Sequence, residues 1–407
     1  MRKIVLSALA AMTLGTVAAN AVDLYQDVNG QVFTSAAEGR TPVNDKAVDV
    51  FGKADKFKFS GLTYIGYRYN DTKEGETSVA GTNYNDSTSQ FEIRRAYFQL
   101  KAYLLDDPKS YYRVTFDVHQ DNKVDTTGNG TTDGDMLLRV KYAYLYLDNI
   151  LPATGVEIGI AHRPWHDYEE HNAWYFRNIS KVLVEQKNGA DLSNSADFGF
   201  NFKTRTQYFD SEFGVFNGEG YHAIQASKGV SFEWRTTLHL LGVSGKDKQN
   251  TKTYFDASFF GQYNQEHKSD TSASNGFDDL VFAGLHTVYN QPSFLLSAQY
   301  VYSDDTAKDS SYVSVQAGSG YSANAEYRFG GEKEFRVLGR YDRWTKDYID
   351  SDSRDNKAND TYIAGFAWDQ NRNVEWVANV DVTDNEAGSN REKFNGIAYM
   401  LTAEVKF

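Results

Sequence analysis

From about residue 56 to its end the chain repeats one pattern: segments of roughly ten residues alternate apolar and polar positions, and turn clusters separate them. A period of two puts neighbouring side chains on opposite faces of an extended strand, so the pattern predicts β-structure and not helix. The last segment is the clearest. Ile397, Tyr399, Leu401, Ala403, Val405 and the terminal Phe407 share one face, and Ala398, Met400, Thr402, Glu404 and Lys406 share the other. Sixteen segments are predicted, near 56–69, 91–104, 111–120, 136–147, 155–162, 197–203, 208–216, 229–242, 253–263, 280–289, 294–303, 314–329, 334–344, 361–369, 374–383 and 394–407. The links between them alternate in length. Asp106-Asp107-Pro108-Lys109, Asn290-Gln291-Pro292-Ser293, Gly330-Gly331-Glu332-Lys333 and Gln370-Asn371-Arg372-Asn373 are short, whereas 70–90, 121–135, 163–196, 264–279, 345–360 and 384–393 are long and polar. Short turns, long loops and an even strand number together predict an all-β fold, a transmembrane antiparallel β-barrel with both ends on the periplasmic side.

Magnitudes decide which face meets lipid. Arg or Lys at the bilayer midplane costs about 2 to 4 kcal/mol, while a polar lumen tolerates it. Tyr112, Val114, Phe116 and Val118 are therefore outward, leaving Arg113, Thr115, Asp117 and His119 to water. Ala96, Phe98, Leu100, Ala102 and Leu104 are outward too, with Arg95, Gln99 and Lys101 inward; Phe294 to Tyr302 and Val374 to Val382 follow the same rule. In the fourth strand two phases compete, Ala143, Leu145 and Leu147 against Val140, Tyr142 and Tyr144.

Composition sharpens this reading. The mean hydropathy is −0.58, as for a polar soluble protein, yet 28 Tyr, 26 Phe and 6 Trp accompany only 5 Pro. That pairing suits long uninterrupted strands ending in aromatic girdles. With no cysteine, no disulfide staples the fold. The net charge of −13, or −15 once Arg2 and Lys3 leave with a leader, speaks against a nucleic-acid partner. Such a leader is predicted at 1–21: Met1-Arg2-Lys3, an apolar run from Ile4 to Ala18, and the Ala19-Asn20-Ala21 cleavage pattern. Residues 22–55 are expected to form a periplasmic extension, with a small hairpin around Asn29-Gly30, followed by the barrel over 56–407.

The loop after the fifth strand, Arg163 to Ala196, is the longest connection and carries Trp165, Tyr168, Trp174, Tyr175, Phe176, Ile179, Val182 and Leu183. Apolar groups of this size need shelter, and the barrel interior is the largest a loop can find, so the loop is expected to fold into the lumen as a constriction, with a short helix over Ile179 to Gln186; the alternative is a loop packed over the barrel mouth or at a subunit interface. Its charged residues are Arg163, His166, Asp167, Glu169, Glu170, Arg177 and Lys181. Across from Asp167, Glu169 and Glu170 would stand Arg95, Lys101, Arg113, Arg139 and Lys141, with Asp117 among them. Opposed charges of this kind select and orient permeating ions. The plainer alternative is a set of lumen salt bridges.

Other chemistry finds little footing. His162, His166 and His171 lack the regular element and spacing that aim metal ligands, and Asp125 to Gly130 resembles a calcium loop whose twelfth position is Met136 instead of Glu. No metal or cofactor is expected. No G-x-S-x-G elbow, H-E-x-x-H or phosphate-cradling glycine loop occurs, so no enzyme is expected.

Several motifs resemble the phosphate-selective porin O and P group of outer-membrane proteins: Phe91 to Leu100 (FEIRRAYFQL), Val140 to Leu147 (VKYAYLYL), Val156 to Trp165 (VEIGIAHRPW), Ser195 to Gly199 (SADFG) and Asn217-Gly218. The resemblance implies a sixteen-stranded barrel, usually a trimer, with a lumen-folded third loop and a path lined by basic side chains. Arg94 and Arg95 match the family's double arginine, and Arg163-Pro164 its strand-five exit. Asp117, Glu157, Glu233, Glu326 and Asp342 depart from a continuous basic ladder. The function expected is a water-filled outer-membrane channel for small hydrophilic solutes and ions, anions such as phosphate included, assembled as a homotrimer in outer-membrane lipid. The alternative is a barrel with a structural, adhesive or hydrolytic role.

Overall fold

A computed structural model of the chain describes residues 25–26, 32–33, 41–42, 56–72, 87–104, 107, 109–120, 136–221, 229–244, 250–267, 278–305, 316–346, 357–386 and 395–407. The expected leader, the polar stretch 121–135 and most of 22–55 lie outside them. Within 22–55, Tyr25–Gln26 pairs antiparallel with Val32–Phe33, as the expected hairpin requires, and with Thr41–Pro42 on its other side.

Sixteen strands close into one antiparallel barrel. In chain order they are β1 (Phe57–Thr72), β2 (Thr88–Tyr103), β3 (Tyr111–Gln120), β4 (Met136–Leu151), β5 (Thr154–His162), β6 (Ala196–Arg205), β7 (Phe209–Phe216) and β8 (Ser231–His239). There follow β9 (Tyr254–His267), β10 (Asp278–Gln291), β11 (Phe294–Asp305), β12 (Gly318–Phe329), β13 (Phe335–Lys346), β14 (Lys357–Asn371), β15 (Val374–Asn385) and β16 (Gly396–Lys406). Each strand pairs with its sequence neighbours, and β16 pairs with β1 to close the seam. Closure leaves no unpaired sheet edge. Among the described residues no helix is long and apolar enough to cross a membrane.

The barrel is inside out relative to a soluble protein. Leu285 is 62% exposed, Leu296 and Tyr300 52%, whereas Arg163, Arg328, Arg336 and Arg340 are buried. Alternation from residue to residue produces both faces, as along β12, where buried and exposed positions alternate throughout.

Two irregularities decide what simple alternation leaves open. Between β3 and β4 the register shifts, so that Thr115 faces Tyr142 and Phe116 faces Val140, with Lys141 as the extra residue. A bulge changes the phase of the strand that carries it. Hence Leu138 and Val140 are exposed before it, while Tyr142 and Tyr144 are buried after it; both competing phases of the fourth strand hold, one on each side of Lys141. In β2 the exposed positions switch from Phe91 and Ile93 to Phe98 and Leu100. Arg94 and Arg95 straddle the switch and both turn inward, Arg94 Nη1 reaching Met400 Sδ at 2.7 Å and Arg95 Nη1 reaching Asp117 at 2.9 Å.

Candidate functional site

The segment 163–195 runs inside the barrel. Trp165 stacks on the inward Phe260 of β9, ring centroids 3.6 Å apart and nearly parallel. With Tyr168, Leu183, Val184, Ala190 and Leu192 it joins Phe260, Leu280, Phe282, Val301 and Trp344 of the wall in one buried cluster. Trp174, Phe176, Ile179 and Val182 form a second with Leu338, Ile363, Ala367, Val377 and Met400. The loop thus covers the inner wall from β9 round to β16. Burial of this apolar area is the main force holding it there.

Its one helix, α1 (His166–Asn172), lies earlier than the expected Ile179–Gln186, which forms turns instead. The physical reason is anchoring: Trp165 and Tyr168, one helical turn apart, both reach the β9–β10 wall, and Tyr168 donates to Asp256 at 2.9 Å. The carbonyls of Ile179 to Lys181 are taken by side chains. Arg94 donates to Ile179 O at 3.3 Å, Trp174 Nε1 to Ser180 O at 2.9 Å and Arg340 to Lys181 O at 2.9 Å. Backbone groups bound from both sides are unavailable to a helix.

The loop charges divide into two sets, which alternation along the chain could not separate. Arg163, His166 and Glu169 are interior anchors and do not face Arg95 or Arg113 across the lumen, which corrects the expectation for Glu169. Arg163 Nε sits 2.8 and 2.9 Å from the Glu233 carboxylate and Nη2 2.7 Å from Gln262 Oε1, all buried. His166 lies 3.3 Å from Ser193 Oγ, and burial lowers its imidazole to about 3, so it is neutral. Glu169 contacts Gln299 of β11, on the opposite wall. Burial pushes its carboxyl up to about 8, so the protonated form dominates at neutral pH and adds little to a lumen field. The second set stays partly accessible. Asp167 lies 3.4 Å from His171 and 3.9 Å from His162; Glu170 pairs with Arg177, which also binds Glu185 at 2.8 Å; Lys181 lies 3.0 Å from Glu185.

On the wall of β2–β4 the six inward residues expected from alternation come together. Arg95 and Arg139 share one oxygen of Asp117, each with a nitrogen at 2.9 Å. Arg113 hydrogen-bonds Thr115 at 3.0 Å and Tyr144 at 3.2 Å and lies over the Tyr142 ring. Lys141 lies over Tyr97, Lys101 over Tyr111 and Arg139 over Tyr221. Cation–π contact stabilises such groups without neutralising them. Arg95 and Arg139 side chains keep 22% and 23% of their surface open and Lys181 keeps 29%.

Acids that interrupt a basic ladder in the sequence turn out to be counter-ions set into the wall. Asp117 is fully buried between its arginines; Glu157 binds His162 and Lys203; Glu326 binds Arg328; Asp342 binds Arg340. Nothing in a linear pattern distinguishes an acid facing the path from one beneath an arginine. Among the described residues no group of three or more His, Cys, Asp or Glu is placed to hold a metal ion.

No family model and no curated relative matches the chain. Solved structures do. OmpF of Salmonella typhi superposes with a TM-score of 0.59 at 11% identity, covering 88% of this chain and 99% of that one. The fold is that of a porin. An anion-selective porin from Comamonas acidovorans gives 0.58 at 13% identity over 86% of this chain and 99% of its own, and OmpT of Vibrio cholerae 0.55 at 10% over 86% and 97%.

One expected outcome concerns the root of the inserted loop. Breaking a buried ion pair from one side costs about 3 to 5 kcal/mol, because the remaining charge is left unpaired. Glu233→Ala should therefore lower the denaturant midpoint of the barrel more than the joint change of Arg163→Met with Glu233→Gln, as followed by tryptophan fluorescence. Equal midpoints for the two proteins would show that the pair does not anchor the loop.

Proposed function

We propose that the chain is a diffusion channel of the bacterial outer membrane, a homotrimer passing small hydrophilic solutes with a preference for anions. The observation that carries this reading is the reversal of sidedness: a continuous belt of large exposed apolar side chains surrounds an interior holding most of the ion pairs. Such a belt is too large for a soluble monomer and suits hydrocarbon. With β9 to β16 covered by the loop, the open inward charges concentrate on β2–β4 and the facing loop edge, where cations prevail. The anion-selective porin named above shares the fold and supports this sign of preference. The likeness to the porin O and P group, carried by short motifs, supports anions without choosing among them; phosphate is one candidate.

The test is conductance. Full-length protein in a planar bilayer should give discrete steps that close in threes under high voltage, with a reversal potential in a salt gradient on the anion side. A protein that inserts, migrates as a heat-modifiable barrel and passes no current would defeat the proposal in favour of a structural or adhesive barrel.

A further inference from the structure

The wall that the loop lines from inside carries a hollow of about 780 Å³ on its outer face. Small residues on neighbouring strands make the floor. Ala298 of β11 faces Ala323 of β12; two residues further along β12, Ala325 faces Gly339 of β13, which faces Ala364 of β14. These positions alternate with the buried, inward Ser297, Asn324, Arg340 and Ile363, so all five point away from the lumen. Two aromatic groups wall the floor. On the side of the long loops Tyr341 lies between Tyr321, ring centroids 5.7 Å apart, and Tyr362, stacked at 4.8 Å, and its hydroxyl donates to Asp360 at 2.8 Å. On the other side Tyr327, Phe329, Phe335 and Phe366 stack in series at 5.6 to 6.0 Å. Behind the floor, Leu338 and Ile363 join the loop's Trp174 and Phe176 in one buried cluster, which keeps the wall from collapsing.

The belt around the hollow shows what this sector meets. Tyr300, Tyr321, Tyr362 and Tyr399 stand exposed on the outer face toward the long-loop end of β11–β16. A tyrosine presents an apolar ring and a polar hydroxyl, and a row of them on a barrel marks the height at which lipid headgroups begin. Over β2, β4 and β6 the rim positions are Phe91, Leu138 and Phe198, 87%, 62% and 59% exposed. Apolar side chains up to the rim suit the surface of a second copy, which leaves the tyrosine-bordered sector to lipid.

We infer that the hollow on β11–β14 is the seat of one acyl chain of a membrane lipid, retained by each protomer. From Ala298 to Ala364 the floor crosses three interstrand spacings and steps two residues along the strands, a span of about 16 Å. One leaflet takes about half of the ~30 Å hydrocarbon core, so a single extended chain matches the floor in length. On a convex barrel wall a chain touches side chains along one edge only. Here it sinks to the level of the methyl groups and meets the aromatic walls on both sides, which multiplies its dispersion contacts. The inference rests on reading the belt as membrane-embedded and is independent of conduction.

The experiment is native mass spectrometry of the delipidated full-length protein in nonionic detergent, with dipalmitoyl-phosphatidylglycerol added. One lipid per protomer should survive collision energies that strip the others. Dihexanoyl-phosphatidylglycerol has the same headgroup and chains too short for the floor, and should be held roughly tenfold more weakly. A Cβ at Gly339 would meet only Ile363 O, at 3.8 Å, so Gly339→Ile stands in the hollow without disturbing the wall. Combined with Ala325→Leu it should lower retention of the long lipid roughly tenfold and leave the oligomer and the heat-modifiable mobility unchanged. Equal retention of the two lipids by the parent, equal retention of the long lipid by parent and variant, or no lipid held in stoichiometric amount overturns the inference. A variant that falls apart into monomers overturns it in favour of a contact between copies. A parent protein that does not enter liposomes removes the membrane reading, and this inference with it.

Discussion

Removal of Phe407 should slow barrel assembly severalfold and lower the yield of heat-modifiable protein. The last residue completes the seam: Gly61 N–H donates to Phe407 O at 2.9 Å and Phe407 N–H donates back to Gly61 O at 3.1 Å. Its ring lies over Gly61 so closely that a Cβ there would come within 2.1 Å of it, and it approaches the rings of Phe59 at 5.9 Å and Phe98 at 6.5 Å. The residue just past the end of β16 thus ties together β1 and β2 across the closure. Deleting it exposes two backbone groups, each worth about 1 kcal/mol at a wet rim and more where lipid replaces water. Gly61→Val provides the internal control, because it evicts the ring while keeping residue 407. Both variants should fold more slowly into liposomes, as followed by unheated gel mobility. If Gly61→Val assembles at the rate of the parent, the ring seat is not what closes the seam.

Much of this architecture is legible in the chain, and the exceptions have a common cause. Period-two alternation is local, so all sixteen strands can be read from it, and the final face from Ile397 to Phe407 is oriented as the alternation requires. A bulge is a tertiary event. Lys141 falls between two faultless alternating runs, and only the pairing with β3 shows that both phases hold, one on each side of it. The Arg94-Arg95 pair is similar: two consecutive inward arginines look like an error of alternation until Met400, Ile179 and Asp117 appear as their partners. In the inserted loop, aromatic content signals burial but not which wall provides it. The helix therefore forms where Trp165 and Tyr168 meet Phe260 and Asp256, ahead of the apolar run chosen from composition.

The same register sets the largest effect expected on transport. Arg95, Arg139 and Asp117 together carry one net positive charge on the open side of the lumen, since one buried carboxylate is shared by two guanidinium groups. Arg95→Gln combined with Arg139→Gln turns that +1 into −1 without placing any new group in the wall. A unit charge about 8 Å from a passing ion, at an effective dielectric near 40, is worth about 1 kcal/mol. Each unit therefore shifts anion and cation about fivefold in opposite directions, about thirtyfold in their ratio, and two units invert a modest anion preference. Asp117→Asn moves the trio the other way and should strengthen that preference. The three proteins should rank accordingly in reversal potential across a salt gradient, and the spread should narrow as the screening length falls from ~10 Å at 0.1 M to ~3 Å at 1 M. A double variant that assembles normally and keeps the parent's reversal potential at low salt would show that ions do not pass this wall.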